Sequence, residues 1–141
     1  MRLRGESRAL VSYAIQRAAD HETGDELPNS PRHMAKARVS LPGPIGRSFV
    51  SLEAQYLSSR ATIPHPDPGN GEVFTGSVGA AATLNVTLVQ PIGRAWELSG
   101  GVRNLFDTKY ADPVSDQHVQ EAVEQNGRTA RIGLTWKFQA K

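Results

Sequence analysis

The chain of 141 residues contains no cysteine. That excludes a disulfide scaffold, thiolate metal ligation and a cysteine nucleophile, although it fixes no compartment, because exported proteins can lack cysteine altogether. A dominant charge is also missing. Sixteen basic against fourteen acidic residues leave a net charge of +2, too little to argue for nucleic acid or an anionic membrane surface as partner. No stretch approaches the ~18 consecutive apolar residues of a membrane helix. The uncharged tract Thr75 to Pro91 is broken by Gly76, Gly79 and Asn85. After the basic start Met1-Arg2-Leu3-Arg4 comes Gly5-Glu6-Ser7-Arg8, where a signal peptide needs an apolar segment. Neither an export signal nor a spanning helix is expected. Spanning strands stay open, since each gives a far weaker signal.

Chemistry-bearing motifs are absent as well. There is no G-x-S-x-G, H-E-x-x-H or phosphate loop, and Gly76, Gly79, Gly100 and Gly101 form no dinucleotide fingerprint. An enzyme is not expected, and no cofactor is implied. The four histidines, His21, His33, His65 and His118, lack the spacing of a metal site, and solvated link histidines explain them. The carboxylates Asp107, Asp112, Asp116, Glu121 and Glu124 crowd one segment. They read as a polar surface rather than a cation site.

What the chain does have is alternation. Its apolar share, counting glycine and leaving out tyrosine, is roughly 45%, enough to exclude disorder for want of apolar residues. The length suits one ordinary domain. Six segments show period two. Ala9, Val11, Tyr13 and Ile15 share a face, as do Ala35, Ala37, Val39 and Leu41, and then Val50, Leu52, Ala54 and Tyr56. Leu84, Val86 and Leu88 follow, then Trp96, Leu98 and Val102, and last Ala130, Ile132, Leu134, Trp136 and Phe138. Successive side chains of a strand point to opposite sides, so this pattern predicts an antiparallel all-β meander of about six strands. His118 to Gln125 is the one stretch that reads as a helical turn.

The connections alternate in length. Pro42-Gly43-Pro44-Ile45-Gly46 and Pro91-Ile92-Gly93-Arg94 are tight. The links Asp20 to Pro31, Arg60 to Val73 and Asp107 to Asn126 are long and polar. A membrane β-barrel has this asymmetry, with short turns at one rim and long loops at the other. Six strands also place both termini at the short-turn rim. The polar face carries Lys36, Arg38, Glu53, Gln55, Arg103, Arg131 and Lys137, so it is wet. The other face holds roughly 25 apolar side chains, at about 1.5–3 kcal/mol each if fully buried. Those groups need a cover: lipid, or the folding of the sheet on itself into a soluble sandwich or barrel.

A family resemblance bears on that choice. The run W-E-L-S-G-G-V-R-N-L-F-D-T-K-Y-A-D-P-V from Trp96, then Gln125-Asn126-Gly127-Arg128 and R-I-G-L-T-W-K-F, resembles the C-terminal part of a TonB-dependent outer-membrane receptor. The matching residues are Val102, Asn104, Leu105, Phe106, Asp107, Tyr110 and Pro113, then Gln125, Gly127 and Arg128. Upstream, Ser12-Tyr13-Ala14, Asn29-Ser30-Pro31-Arg32-His33 and Ser58-Ser59-Arg60 resemble the preceding hairpins. Arg131, Gly133, Trp136 and Phe138 fit the strand signal that the barrel-assembly machinery reads, although Gln139-Ala140-Lys141 follows where such proteins usually stop.

The resemblance implies that residues 1–141 are the C-terminal part of a barrel of about 22 strands around a plug. Six strands cannot close alone, since the smallest barrels have about eight. The implied parent sits in the cell outer membrane and imports a ferric siderophore or similar scarce ligand. Its implied partners are membrane lipid, the assembly machinery, the remaining barrel and plug, and, through the plug, the TonB energy complex. Within that picture Asn104 and Asp107 are expected to cap the strand end, and Trp96, Trp136 and Phe138 to form an aromatic belt. The rival expectation is a stand-alone soluble β-domain binding a small ligand or a protein.

Overall fold

A computed structural model of the chain describes residues 7–66, 73–74, 76–114 and 122–138, with His65, Pro66, Val73 and Phe74 described by their backbone alone. Six long strands make one antiparallel sheet: β1 Arg8–Ile15, β2 His33–Pro42, β3 Phe49–Leu57, β4 Ala81–Ile92, β5 Trp96–Arg103 and β6 Thr129–Trp136. They lie side by side in chain order, so each pairs with its sequence neighbour. This is the meander that the alternation predicts, and it is open: β1 and β6 are its two edges.

The register keeps the apolar set together across the sheet. Val11 stands opposite Ala37, Ala37 opposite Ala54, and Ala54 opposite Leu84. Further along, Val86 faces Val102, which faces Ala130. The second face pairs Lys36 with Gln55, Arg38 with Glu53, and Glu53 with Asn85. A slip of one residue between any two strands would exchange these sets, which is why the pattern fixes the pairing.

Strand β4 is longer than the sequence suggests. Pro91 and Ile92, expected in the turn, lie within it, paired with Glu97 and Trp96. Proline is tolerated because β3 ends opposite Val89, leaving Pro91 with a ladder partner on one side only. The turn itself is Gly93 to Ala95, with Gly93 in the left-handed region at φ 61°. In the other tight turn, Gly43 N–H donates to Ser48 O at 2.8 Å, and Ile45 N–H donates to Ser48 Oγ at 3.1 Å. Arg47 Nη2 reaches across to Gly93 O at 3.1 Å, tying the two turns together.

The long links contain structure that their polarity hid. Arg60–Ala61 pairs with Ser77–Val78, His65–Pro66 with Val73–Phe74, and Ala111–Pro113 with Ala122–Glu124. The last pairing corrects the expected helical turn: of His118 to Gln125, the described part is strand through Glu124, while His118 itself lies outside the described residues. Backbone pairing with Ala111–Pro113 outweighs helix propensity in so short a piece, because one turn of helix is unstable alone.

Among the described residues the sheet has no hydrophobic core. The buried residues are the apolar Val78 and Ala81, the prolines Pro31 and Pro113, and the polar Ser48, Ser58, Arg60, Thr62 and Asn104. All but Ser48 lie at the long-link rim. The large apolar groups of the sheet are outside: Val11 is 75% exposed, Leu134 63% and Ile132 86%.

One consequence concerns the tight turn. Gly93→Val places a branched side chain in the left-handed region and should cost about 1–2 kcal/mol or more. Gly79→Ala, with open space around the new carbon and no positive φ, should stay within about 0.5 kcal/mol. Denaturant midpoints of the two variants in detergent check this, and equal shifts would contradict it.

Candidate functional site

The sheet offers three surfaces, and strand parity sorts their residues. The first is the apolar face. Near the short-turn rim, Trp96 and Trp136 are cross-strand partners with stacked rings 5.9 Å apart, and Phe138 lies 5.4 Å beyond Trp136. All three are exposed. Near the opposite rim of the same face, Tyr13 stacks on His33 at 6.2 Å, with its hydroxyl 2.7 Å from Nδ1, and Tyr56 is also exposed. Aromatic rings with polar tips therefore bracket a band of exposed Val, Leu, Ile and Ala. His33, which the sequence places next to the first long link, is the first residue of β2 and this tyrosine's partner.

The second surface is the polar face, and it is concave. It holds a cleft of about 720 Å³ lined by Arg38, Gln55, Asn85, Arg103, Tyr110 and Arg131, among others. Two ion pairs cross it. Arg38 donates to Glu53, its register partner, and Lys137 Nζ lies 2.6 Å from Glu97 Oε2. Neither pair was legible as such from the sequence, because pairing depends on register. Among the described residues no cluster of His, Asp and Glu could hold a metal ion.

The third surface is the long-link rim, where the motif residues gather. Val102 is in β5, opposite Ala130. Asn104, 4% exposed and at φ 49°, closes the strand end. Its Nδ2 donates to Thr108 O and its Oδ1 accepts the Thr108 N–H, each at 2.9 Å. Its own N–H donates to Asn85 Oδ1 at 3.0 Å, and Leu105 N–H donates to Leu84 O at 2.8 Å. Phe106 is 72% exposed. Asp107, at φ 54°, accepts the Arg128 N–H at 2.7 Å. Gln125 N–H donates to Tyr110 O at 2.9 Å, and Pro113 is buried.

Gly127 is required by this packing: a Cβ there would meet the Asp107 carboxylate and stand 3.1 Å from Lys109 Nζ. The structure thus brings Asn104, Asp107, Gln125, Gly127 and Arg128 into one clamp. The clamp joins the end of β5 to the start of β6. Arg131 and Gly133 lie on the polar face of β6 and Trp136 on its apolar face, so those signal residues are split between two surfaces. Asp116 and Glu121 lie outside the described residues.

No family model and no curated protein sequence matches the chain. Solved structures do. The ferripyoverdine receptor of the outer membrane of Pseudomonas aeruginosa, bound to ferripyoverdine, superposes with a TM-score of 0.78 at 15% identity, over 97% of this chain and 18% of that one. The FpvAI–pyocin S2 complex gives the same values. The ferric-catecholate import receptor Fiu from E. coli gives 0.68 at 18% identity, over 93% of this chain and 19% of that one. The fold is that of an outer-membrane receptor barrel, in part. The chain spans under a fifth of the receptors it matches, and its unclosed sheet corresponds to a section of barrel wall.

The rim clamp carries a pH dependence. The Arg128 peptide N–H, and secondarily the Lys109 ammonium 3.4 Å from Oδ2, hold the Asp107 carboxyl below its ordinary value of 3.8. A depressed carboxylate stabilises the folded state above the unfolded pKa, and this is lost as pH falls through the lower folded pKa. The amide shift of Arg128 should therefore titrate with a midpoint below 3.8. A midpoint above that value would show that the clamp does not hold the carboxylate.

Proposed function

We propose that this chain forms wall, and three outer loops, of a TonB-dependent outer-membrane receptor that imports a ferric siderophore or a comparably scarce ligand. The observation that carries the reading is the apolar face. It is continuous over six strands, exposed on β1 and β6 and partly exposed on the strands between, bracketed by aromatic side chains at both rims, and without any covering layer among the described residues. Hydrocarbon is the cover that suits it. In a bilayer, strands avoid unsatisfied backbone groups only by pairing into a closed barrel, and the strand lengths of 8–12 residues match the ~9–11 needed to cross at a tilt.

Each part then has a role. The free edges of β1 and β6 pair with further barrel strands, since an unpaired edge in lipid is untenable. The lumen face, with its cations and amides, faces water and the plug. The long links face outward and contribute to the ligand entrance. The residues Arg131, Gly133, Trp136 and Phe138 present the last strand to the barrel-assembly machinery, and Trp96, Trp136 and Phe138 anchor the inner interface. Import draws its energy from the TonB complex acting on the plug, so the work of this chain is containment and recognition, without covalent chemistry.

Tryptophan fluorescence tests the lipid contact. Refolded into vesicles, Trp96 and Trp136 should shift to the blue and be quenched by lipids brominated near the headgroup, while aqueous iodide quenches them weakly. A chain that folds cooperatively as a water-soluble monomer, with tryptophan emission indifferent to vesicles, would favour the soluble-domain reading instead.

A further inference from the structure

Arg60 opens the second long link, yet its side chain is 5% exposed. A buried guanidinium must place its donors, because an uncompensated buried charge is costly. Nη1 donates to Asn29 Oδ1 at 3.1 Å, in the first long link. Nη2 donates to Ala111 O at 3.1 Å and to Asp112 Oδ1 at 2.8 Å, both in the third. One side chain therefore touches all three long links.

The neighbourhood is built around that contact. Asn29 sits at φ 53°, a left-handed position that asparagine tolerates, and its N–H donates to Ala61 O at 3.0 Å. Thr62 N–H donates to Gly76 O at 3.0 Å, closing the second link. Arg60 Nε and Thr62 Oγ1 are both buried without a hydrogen-bond partner among the described residues. The arginine is thus held by contacts to the other two links rather than saturated within its own. Two- and three-residue ladders such as these are marginal alone, so their stability depends on what joins them.

We infer that Arg60 is a latch that makes the three long links one cooperative unit, opening and closing together. A body that displaces any one of them at the rim then loosens the other two through the shared cation. The planar fork is what permits this, since lysine offers a point charge that cannot direct bonds to Asn29 and Asp112 at fixed angles. The inference rests on contacts at the rim alone and stands whether or not the apolar face meets lipid.

Amide hydrogen exchange on the full chain in detergent micelles tests it. Each link has its own reporter: Leu27 N–H bonded to Ala18 O, Thr62 N–H to Gly76 O, and Gln125 N–H to Tyr110 O. Asp112→Asn, in the third link, should speed exchange at Leu27 and Thr62 on the order of tenfold, the scale of losing a charge-assisted hydrogen bond. Asn29→Gly, which keeps the positive φ, should do the same at Thr62 and Gln125. Arg60→Lys should accelerate all three reporters. Throughout, the β2–β3 amides should be unchanged. Acceleration confined to the substituted link would overturn the inference. So would equal acceleration of the β2–β3 amides, which would make Arg60 a support of the whole sheet rather than a latch on its rim.

Discussion

A single sheet whose one face is greasy cannot remain uncovered in water, and that constraint organises everything else in this molecule. The antiparallel ladder satisfies backbone groups within the sheet, but it leaves Val11, Ile132, Leu134 and their neighbours pointing outward with nothing over them. In a soluble β-protein those groups would meet a second sheet across a gap of about 10 Å. Here the sheet curves around its charged and amide-rich face, so closing it further in that sense encloses Arg38, Glu53, Arg103 and Arg131 and leaves the greasy side outward. Among the described residues nothing covers it, and the fold is that of part of an outer-membrane receptor barrel.

The two rims solve different problems. At the short-turn rim the chain reverses within a few residues, and Gly93 at φ 61° together with the Arg47 bridge to Gly93 O suffices. The long-link rim must hold three extended excursions over the mouth of the wall. It does so with polar contacts rather than a hydrophobic core: buried Asn104 folded back on Thr108, exposed Asp107 on the Arg128 amide, and buried Arg60 on Asn29 and Asp112. Such contacts are directional, so they fix geometry in loops too small to bury much apolar area. The molecule therefore has most of its buried polar contacts at the long-link rim and its exposed apolar area on one face of the sheet.

How much of this could be read from residues alone follows from what kind of information each feature needs. Period two is local, and so all six strands, their order and the wet and greasy faces were legible, with the ends of β4 misjudged because Pro91 suggests a turn. Register then follows from the faces. The clamp was half legible: Asn104 and Asp107 were recognisable as cap residues by type, but the partner of Asp107, the Arg128 amide, lies 21 positions away. Arg60 was legible only as part of a family word, Ser58-Ser59-Arg60. Nothing local marks an arginine that will be buried, because its partners Asn29 and Asp112 are separated from it by 31 and 52 positions. The helical reading of residues up to Gln125 failed for the same reason, since the partner strand Ala111–Pro113 decides the conformation there.

The measurement that bears most directly on the central claim uses the absence of native cysteine. Single cysteines carrying a spin label, placed one at a time from Ala82 to Leu88 along β4, report access to oxygen, which concentrates in lipid, and to a water-soluble nickel complex. In vesicles the account requires the two accessibilities to alternate out of phase. Ala82, Leu84, Val86 and Leu88 should be open to oxygen, and Thr83, Asn85 and Thr87 to nickel. Equal exposure of both sets to nickel, or shielding of the first set from both reagents, would mean that this face meets water or protein rather than hydrocarbon.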